Sequence, residues 1–281
     1  MMIKDILLPL TSYPTPTQKS AIESAVALAA NMGALVQAVA FEVNVQSPVG
    51  LYADPVGVAG ILAADRKKSA YNAHELLDAF ESIARKAGIA HQRRLLGCRL
   101  LEIPGHLACE ARFCDLAMVP MRGPDASEQD IAEQLVFDSG RPVLVFPEDP
   151  NHTLPASLNN IAVAWDFSAP ATRAIADALP FLRRAKQVRV FTVIDDKPID
   201  KSQSSARLAE HLARHGVEVV PEDVNCNGHA IGHVFKDYVA KHKVDLLVMG
   251  AYGHSRIREF ILGGATKSIL LHPPTWVLLS H

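Results

Sequence analysis

The chain repeats one pattern of short apolar runs and amphipathic helices in its two halves. Asp115-Leu-Ala-Met-Val resembles Asp245-Leu-Leu-Val-Met, and Arg141-Pro-Val-Leu-Val resembles Pro273-Pro-Thr-Trp-Val. Each half alternates strands and helices in the order β-α-β-α-β-α-β-α-β, and the strands are apolar, as in a sheet that is covered on both faces. The pattern predicts an α/β fold made by tandem duplication, in which each half is a five-stranded parallel sheet with helices on both faces.

Apolar periodicity and turn residues predict where the elements lie. In the first half we expect strands at 6–10, 35–43, 90–96, 116–119 and 142–146, and helices at 17–32, 61–86, 103–113 and 131–137. In the second half we expect strands at 161–165, 187–194, 217–220, 244–249 and 275–279, and helices at 171–184, 205–215, 231–242 and 265–271. Residues 46–60 are predicted to form a long loop. The polar, proline-rich segment 147–155 is predicted to link a domain at 1–147 to a domain at 158–281.

Composition excludes several classes of protein. The chain has 281 residues, enough for two domains, and a formal net charge of -2, which argues against nucleic acid as an obligatory partner. No apolar run approaches the roughly 18–20 residues that cross a bilayer, and the N-terminus does not resemble a secretion signal. The 4 cysteines have no CxxC spacing, which favours reduced thiols. We therefore expect a soluble, cytoplasmic protein.

A glycine-rich stretch follows the apolar run at 244–249. Gly250 and Gly253 come after the predicted strand, where we expect them to permit close backbone approach and positive φ. Gly263 and Gly264 open the next predicted helix. A strand, a glycine turn and a glycine-started helix present backbone N–H groups to an anion, which predicts a phosphate site. The alternative is that these glycines serve only as turn and cap residues.

Asp166 follows the first predicted strand of the second half. Sheets of this kind bind ligands beyond the carboxyl ends of their strands, near the point where strand order reverses. The carboxylate of Asp166 is therefore a candidate acceptor for hydrogen bonds from a ribose or a base. Ser168, two residues later, also suits a helix N-cap, which is the alternative interpretation of this segment.

The spacing Gly250-x2-Gly253-x9-Gly263-Gly264 is similar to the nucleotide-binding signature of universal stress proteins, Gly-x2-Gly-x9-Gly-(Ser/Thr). The order of elements matches that family in both halves, so the chain resembles a tandem universal stress protein over nearly its whole length. The resemblance implies two Rossmann-like, adenine nucleotide alpha hydrolase-like domains that often bind ATP, with or without Mg²⁺, and are rarely vigorous enzymes. By position it implies these nucleotide contacts: Ala164, Trp165, Asp166, Val193, Met249, Gly250, Gly253, Gly263, Gly264, Ala265 and Thr266. His254, beside Gly253, is a separate candidate to reach a phosphate.

The chain departs from the signature at its last position. Gly264 stands where the family has Ser or Thr, so one hydroxyl contact to phosphate is missing. Thr266 is the candidate to replace it, and the spacing alone leaves that open.

The first half lacks the features of the phosphate site. Thr11 stands where the second half has its aspartate, and Pro120, which has no N–H, stands where it has the first glycine. Gly123 keeps the second glycine, but the nine-residue spacing then falls on Glu133 and Gln134. A carboxylate in a phosphate site repels its ligand, so the first-half site is predicted to be degenerate.

Three functions are compatible with these residues. The favoured one is a binding protein whose second domain holds ATP or a related adenine nucleotide and acts as a stress-response module. The second is slow hydrolysis or phosphotransfer at the same site, with Asp166 holding a metal ion and His254 positioning water. The third is an interaction module without nucleotide. No committed catalytic group appears in the sequence, and Arg256 and Arg258 are expected to lie on a solvated helix face.

Two histidine pairs have the spacing of metal ligands on one helix face, His211 with His215 and His229 with His233. Cys226 lies near the second pair, but neither pair has a third ligand at a fixed spacing. We therefore expect surface histidines and no metal site.

The last strand of each half is the candidate for joining the two sheets. Pairing of 142–146 with 275–279 would bury two exposed edges and make the chain a pseudo-dimer of its own halves. Whether two chains then form a homodimer is left open by the sequence.

Overall fold

The first half of the chain alternates five strands with four α-helices. The structure is a computed structural model that describes residues 2–46, 58–123, 127–149, 154–195, 205–251 and 264–281. The first-half elements are β1 (Asp5–Leu10), α1 (Lys19–Met32), β2 (Leu35–Val43), α2 (Val58–Ala87), β3 (His91–Cys98), α3 (Ile103–Ala111), β4 (Leu116–Met121), α4 (Glu128–Asp138) and β5 (Val143–Pro147).

The second half repeats this order. Its elements are β6 (Asn160–Ala164), α5 (Ala169–Leu182), β7 (Gln187–Val193), α6 (Ser205–Arg214), β8 (Val219–Val224), α7 (Ile231–His242), β9 (Leu246–Gly250), α8 (Gly264–Leu271) and β10 (Trp276–Ser280). The expected alternation of strands and helices is confirmed in both halves.

All strands belong to one 10-stranded sheet with the order β3-β2-β1-β4-β5-β10-β9-β6-β7-β8. Within each half the strands are parallel, and the two halves meet where β5 pairs with β10 in antiparallel fashion. Val145 lies opposite Val277 in that pairing. The predicted fold class and the predicted edge-to-edge pairing are therefore confirmed.

The sheet is covered on both faces because successive strand residues point to opposite sides. Ile6 and Leu8 belong to one buried cluster, whereas Leu7 belongs to the other. Helices α1, α2, α5 and α6 pack against the first cluster, and we call this side the α1 face. Helices α3, α4, α7 and α8 pack against the second cluster, on the α3 face.

The same carboxylate anchors the same strand pair in each half. Asp115 accepts hydrogen bonds from the backbone N–H groups of Lys4, at 2.8 Å, and Asp5, at 3.2 Å. Asp245 does the same for Asn159, at 2.8 Å, and Asn160, at 2.9 Å. Each aspartate precedes the fourth strand and holds the start of the first, which explains why this residue recurs in the repeat.

Several expected boundaries differ from the structure by a few residues. Helix α2 begins at Val58, so the expectation of a loop that extends to Gly60 is wrong at that end, and residues 47–57 lie outside the described residues. Strand β6 ends at Ala164, one residue before the predicted end. Ser69, on the buried side of α2, bonds the N–H of Val43 at 2.9 Å, which explains a polar residue in an apolar stripe.

An aromatic pair fills the junction between the halves. Trp276 is fully buried, and its ring lies 4.5 Å from that of Phe146 between centroids. The indole Nε1–H donates to the carbonyl of Pro155 at 3.0 Å. The side chain therefore packs one half against the other and also fixes the segment that enters β6.

Trp276→Ala is expected to lower the free energy of unfolding by about 3–5 kcal/mol, because it opens a cavity and leaves the Pro155 carbonyl unpaired. Phe113→Ala is the control, since Phe113 is 85% exposed, and its effect should stay within about 0.5 kcal/mol. Urea denaturation followed by circular dichroism measures both. Equal effects of the two substitutions would contradict the role of the pair.

Candidate functional site

The second half has its switch point between β6 and β9. From β6 the chain proceeds outward to β7 and β8, and it then returns to the other side of β6 to form β9 and β10. Ala164 lies opposite Met249 on one side and Phe191 on the other. The carboxyl ends of β6 and β9 therefore border a crevice of the kind that binds ligands in open α/β sheets.

The turn after β6 carries an exposed carboxylate and a strained residue. Asp166 is exposed, and its Oδ1 accepts the N–H of Ser168 at 3.1 Å. Phe167 between them has φ 63°, which is rare for a bulky side chain and costs conformational energy. Ser168 caps α5 by accepting the N–H of Ala171 at 3.2 Å, as the alternative interpretation predicted. The cap and the carboxylate are thus both present in one turn, and no sequence pattern indicated the strain at Phe167.

The side chains of Ala164 and Trp165 lie on opposite faces of the sheet. Ala164 is buried in the cluster of the α3 face, whereas Trp165 packs against the cluster of the α1 face. The backbone N–H of Trp165 donates to Phe191 at 2.9 Å, and its indole Nε1 is buried without a hydrogen-bond partner among the described residues. Of these two residues, only Ala164 directs its side chain toward the helices that border the crevice.

Gly250 ends β9 under the first turn of α5. A β-carbon at this position would lie 2.7 Å from the carbonyl carbon of Pro170 and would also collide with the backbone nitrogen of Ala171. Its φ is not positive, so the expectation of a left-handed glycine is wrong at this position. Gly250 does permit a close backbone approach, as expected. In the structure, the group that approaches it is the backbone of α5.

Helix α8 begins at an exposed glycine on the α3 face. A β-carbon at Gly264 would meet none of the described residues within 4 Å. Ala265 is half-buried, and Thr266 is only 3% exposed. The contact of the Thr266 hydroxyl with phosphate, in place of the hydroxyl that Gly264 lacks, stays a prediction. Gly232 of α7 lets α8 pack closely, since a β-carbon there would collide with the side chain of Ser268.

The remaining predicted positions of the glycine stretch are Gly253, His254 and Gly263, which lie outside the described residues. The same is true of Arg256 and Arg258.

The end of β7 forms the far wall of the crevice. Val193 is its last residue and packs partly against the cluster of the α3 face. Asp195, two residues on, accepts the N–H groups of Cys226 at 2.6 Å and Asn227 at 3.2 Å. These hydrogen bonds, that from the Cys226 backbone first, lower the pKa of Asp195. The loop after β8 is thereby held beside β7.

The equivalent cleft of the first half is built differently. Thr11 is buried, and its N–H donates to Thr17 Oγ1 at 2.9 Å, so the turn after β1 closes on itself. Pro120 lies within β4 and pairs with Phe146, and Gly123 follows with φ 132°.

The connection that precedes α4 is shorter than its counterpart. Only residues 122–127 join β4 to α4, whereas residues 251–263 join β9 to α8. The nine-residue spacing therefore passes the helix start and falls inside α4, where Glu133 and Gln134 line a cavity. The first turn of α4 instead carries Glu128 and Asp130.

A buried ionic cluster, which the sequence did not reveal, closes the end of β4 and β5. Arg122 forms an ion pair with Glu128 and lies 3.8 Å from Glu148, and it also donates to the carbonyl of Thr15 at 2.6 Å. Glu148 accepts the N–H of Gln18. One guanidinium thus faces two carboxylates, and Glu128 is the closer partner. Burial, and secondarily the charge of Glu128, raise the pKa of Glu148 to about 7, against the opposing effects of Gln18 and Arg122.

The histidine pairs lie at the surface on separate elements. The rings of His211 and His215 are 4.8 Å apart between centroids, and those of His229 and His233 are 5.5 Å apart. In the described part of the chain, no group of three or more His, Cys, Asp or Glu residues is arranged to hold a metal ion. Cys226 is a free thiol. No helix within the described ranges is long and apolar enough to cross a membrane.

Comparison with known sequences identifies the family of the second half. Residues 158–281 match the sequence profile of the universal stress protein family. These residues are a universal stress protein domain. Comparison with curated protein sequences finds no significant match.

Solved structures of universal stress proteins match the fold of the whole chain. One from Archaeoglobus fulgidus DSM 4304 has a TM-score of 0.71 at 17% identity and covers 98% of this chain and 95% of that chain. A putative universal stress protein from Pseudomonas aeruginosa UCBPP-PA14 has a TM-score of 0.57 at 17% identity, covering 99% and 93%. The first half therefore shares the fold of the universal stress protein domain, in agreement with the expected tandem type.

The two glycines of the crevice should differ sharply when replaced by alanine. Gly250→Ala is expected to destabilise the protein by about 1–3 kcal/mol, because the new methyl group must displace the α5 backbone. Gly264→Ala is the matched control, and it should be neutral or stabilise by up to about 1 kcal/mol, since alanine favours the helix and the space is open. Urea denaturation measures both variants. A destabilising Gly264→Ala with a neutral Gly250→Ala would contradict this packing.

Glu148 should make stability depend on pH. The pKa of Glu148 is about 7 in the folded protein, against about 4.3 in an unfolded chain. Between these values the folded state holds a proton that the unfolded state has released, so the free energy of unfolding falls as the pH rises from about 4.3 to about 7. Glu148→Gln removes this titration and should flatten the slope in that window. Urea denaturation at several pH values measures it, and identical slopes for both proteins would contradict the assignment.

Proposed function

We propose that the universal stress protein domain binds ATP or a related adenine nucleotide at the carboxyl ends of β6, β7 and β9. The observation that carries the proposal is the crevice at the switch point. The exposed carboxylate of Asp166 stands at its β6 side, and the exposed, unobstructed first turn of α8 stands beyond its β9 side. A nucleotide needs an acceptor for its sugar hydroxyls or base and a separate group of donors for its phosphates, and these two positions supply them.

The sugar and base would lie against the strand ends. Asp166 is the hydrogen-bond acceptor in this arrangement, with Ala164 and Val193 forming the wall. Trp165 and Met249 contribute through their backbones, because the Trp165 indole packs on the other face and Met249 is only 3% exposed. The strain at Phe167 supports the proposal, because strained residues persist where the surrounding structure holds a functional turn in place.

The phosphates would lie at the start of α8. The first N–H groups of a helix have no partner within it, and the helix dipole favours negative charge at this end. Gly264 and Ala265 provide such groups in the described part of the helix. In the proposal, Gly253, His254 and Gly263 complete the phosphate site, and Mg²⁺ accompanies the phosphates.

Only one of the two halves takes part in this function. We assign the nucleotide to the domain at 158–281 and treat the domain at 1–147 as degenerate with respect to phosphate. Thr11, which replaces the aspartate, is buried and offers no carboxylate to a sugar or base. Pro120 has no N–H to donate to phosphate, and the acidic first turn of α4 repels it. The chain as a whole acts as a cytoplasmic stress-response module that responds to nucleotide binding and not to turnover.

Gly264 gives the sharpest test because each substitution there has room. ATP should raise the melting temperature of the wild-type protein, since a ligand that binds only the folded state stabilises it. Gly264→Ser restores the hydroxyl of the family signature and should tighten ATP binding by about tenfold to a hundredfold, as expected for one hydrogen bond to a charged group. Gly264→Glu should weaken binding at least tenfold relative to Gly264→Gln, which has the same size without the charge.

Calorimetric titration with ATP measures these affinities, and nucleotide released from freshly purified protein by denaturation provides an independent check. No binding at millimolar ATP, or equal affinities of the Glu and Gln variants, would overturn the proposal. Phosphate release that is lost in both Asp166→Asn and His254→Ala would instead favour the slow hydrolase.

A further inference from the structure

The first half contains a cavity that the proposed nucleotide function does not use. It has a volume of about 560 Å³ and lies between the first turn of α3 and the length of α4, above the carboxyl ends of β1 and β2. Cavities that bind small molecules measure roughly 300–1,000 Å³. The position corresponds to the crevice of the second half, but the walls differ in chemistry.

One side of the cavity is apolar. Leu10, Phe41, Ile103, Leu107, Ile131 and Phe137 line it. Most of these side chains belong to the core cluster of the α3 face, so the wall is rigid and preformed. A ligand would bury an apolar body there with little reorganisation of the protein.

The charged groups of the wall are all acidic. Glu102, Asp130 and Glu133 line the cavity, and none of its described lining residues is a lysine or an arginine. Glu102 is already neutralised, because Arg99 forms an ion pair with it at 2.8 Å. Asp130 and Glu133 lie three residues apart on one face of α4, and in the described structure neither forms an ion pair. Two carboxylates therefore face the cavity without a cation.

A buried hydroxyl in the same wall also lacks a partner. Ser127 lines the cavity, and its Oγ is buried with no hydrogen-bond partner among the described residues. Buried polar atoms are nearly always hydrogen-bonded in proteins. The Ser127 hydroxyl therefore adds to the wall a polar atom that no described residue satisfies.

We propose that this cavity binds an organic amine. The ammonium group lies between Asp130 and Glu133, and the apolar body packs on Phe41 and Ile131. The N-terminus of α4 would by itself favour an anion. The carboxylate of Asp130 in its first turn offsets that preference, and Glu133 adds a second negative charge, so phosphate and carboxylate ligands are repelled.

Three probes of nearly equal shape test the charge preference: tryptamine, its neutral alcohol analogue tryptophol, and indole-3-acetate. Equilibrium dialysis against the full-length protein at low salt gives their affinities. Tryptamine is expected to bind at least tenfold more tightly than tryptophol, and indole-3-acetate should bind most weakly. Equal affinities, tighter binding of the acid, or no tryptamine binding at millimolar concentration would overturn the proposal.

Isosteric variants locate the site. The double substitution Asp130→Asn with Glu133→Gln should reduce tryptamine binding to the level of tryptophol, because it removes charge and preserves shape. Glu75→Gln, at an exposed carboxylate of α2, is the control and should change nothing. Gly105→Leu should weaken all three probes, since Gly105 lines the cavity and a β-carbon there meets nothing within 4 Å.

Two further outcomes separate this proposal from the nucleotide site. Tryptamine binding that persists in saturating ATP supports a separate cavity in the first half, whereas displacement by ATP would place the probe in the second-half crevice. Unchanged tryptamine binding in the double variant would likewise overturn the assignment, even if the variant folds and melts as the wild type does.

Discussion

The antiparallel pairing of β5 with β10 is the interaction on which the rest of the structure depends. Each half alone would expose this edge of its sheet, and exposed edges invite pairing with other chains. Joined here, the halves form one 10-stranded sheet whose outer strands are β3 and β8. The buried rings of Phe146 and Trp276 lie at this junction, so the join between the halves is also part of the core. Both clefts therefore lie at fixed positions on one continuous sheet.

The two clefts of the sheet differ mainly in one connection each, from β4 to α4 in the first half and from β9 to α8 in the second. Residues 251–263 provide a long approach to α8, and the helix then starts at an exposed glycine. Residues 122–127 provide a short approach to α4, and its first turn is acidic. Arg122 lies in that short connection and forms an ion pair with Glu128, which ties the end of β4 to the helix. Equivalent strands are thus followed by connections that differ in length and lead to helices with different first turns.

Much of the fold was predictable because it depends on local patterns. Apolar runs marked the strands, Gly33 ended α1 with φ 66°, and the final strands were recognised as pairing edges. The site was harder, because its contacts join residues that are distant in sequence. The spacing of Gly250 suggested a ligand, whereas the structure also shows helix α5 packed on it.

In the first half, the nine-residue spacing of the glycine signature did not locate the start of the helix, for a related reason. The nine-residue spacing assumes a connection of equal length, and the shorter one places Glu133 in the second turn of α4. The ionic cluster was hidden because Gln18 and Glu148 are 130 positions apart. No periodicity or motif reports such a contact, nor the cavity that the α3 and α4 helices enclose.

The covalent link between the halves has a consequence for symmetry. A homodimer of identical chains must carry two identical clefts, because a two-fold axis relates every residue to its copy. In this chain the mirrored strand order keeps the geometry of such a dimer, but each half has its own sequence. A substitution in one cleft is therefore not imposed on the other. One protein can therefore carry two clefts of different sequence on a single pseudo-symmetric sheet.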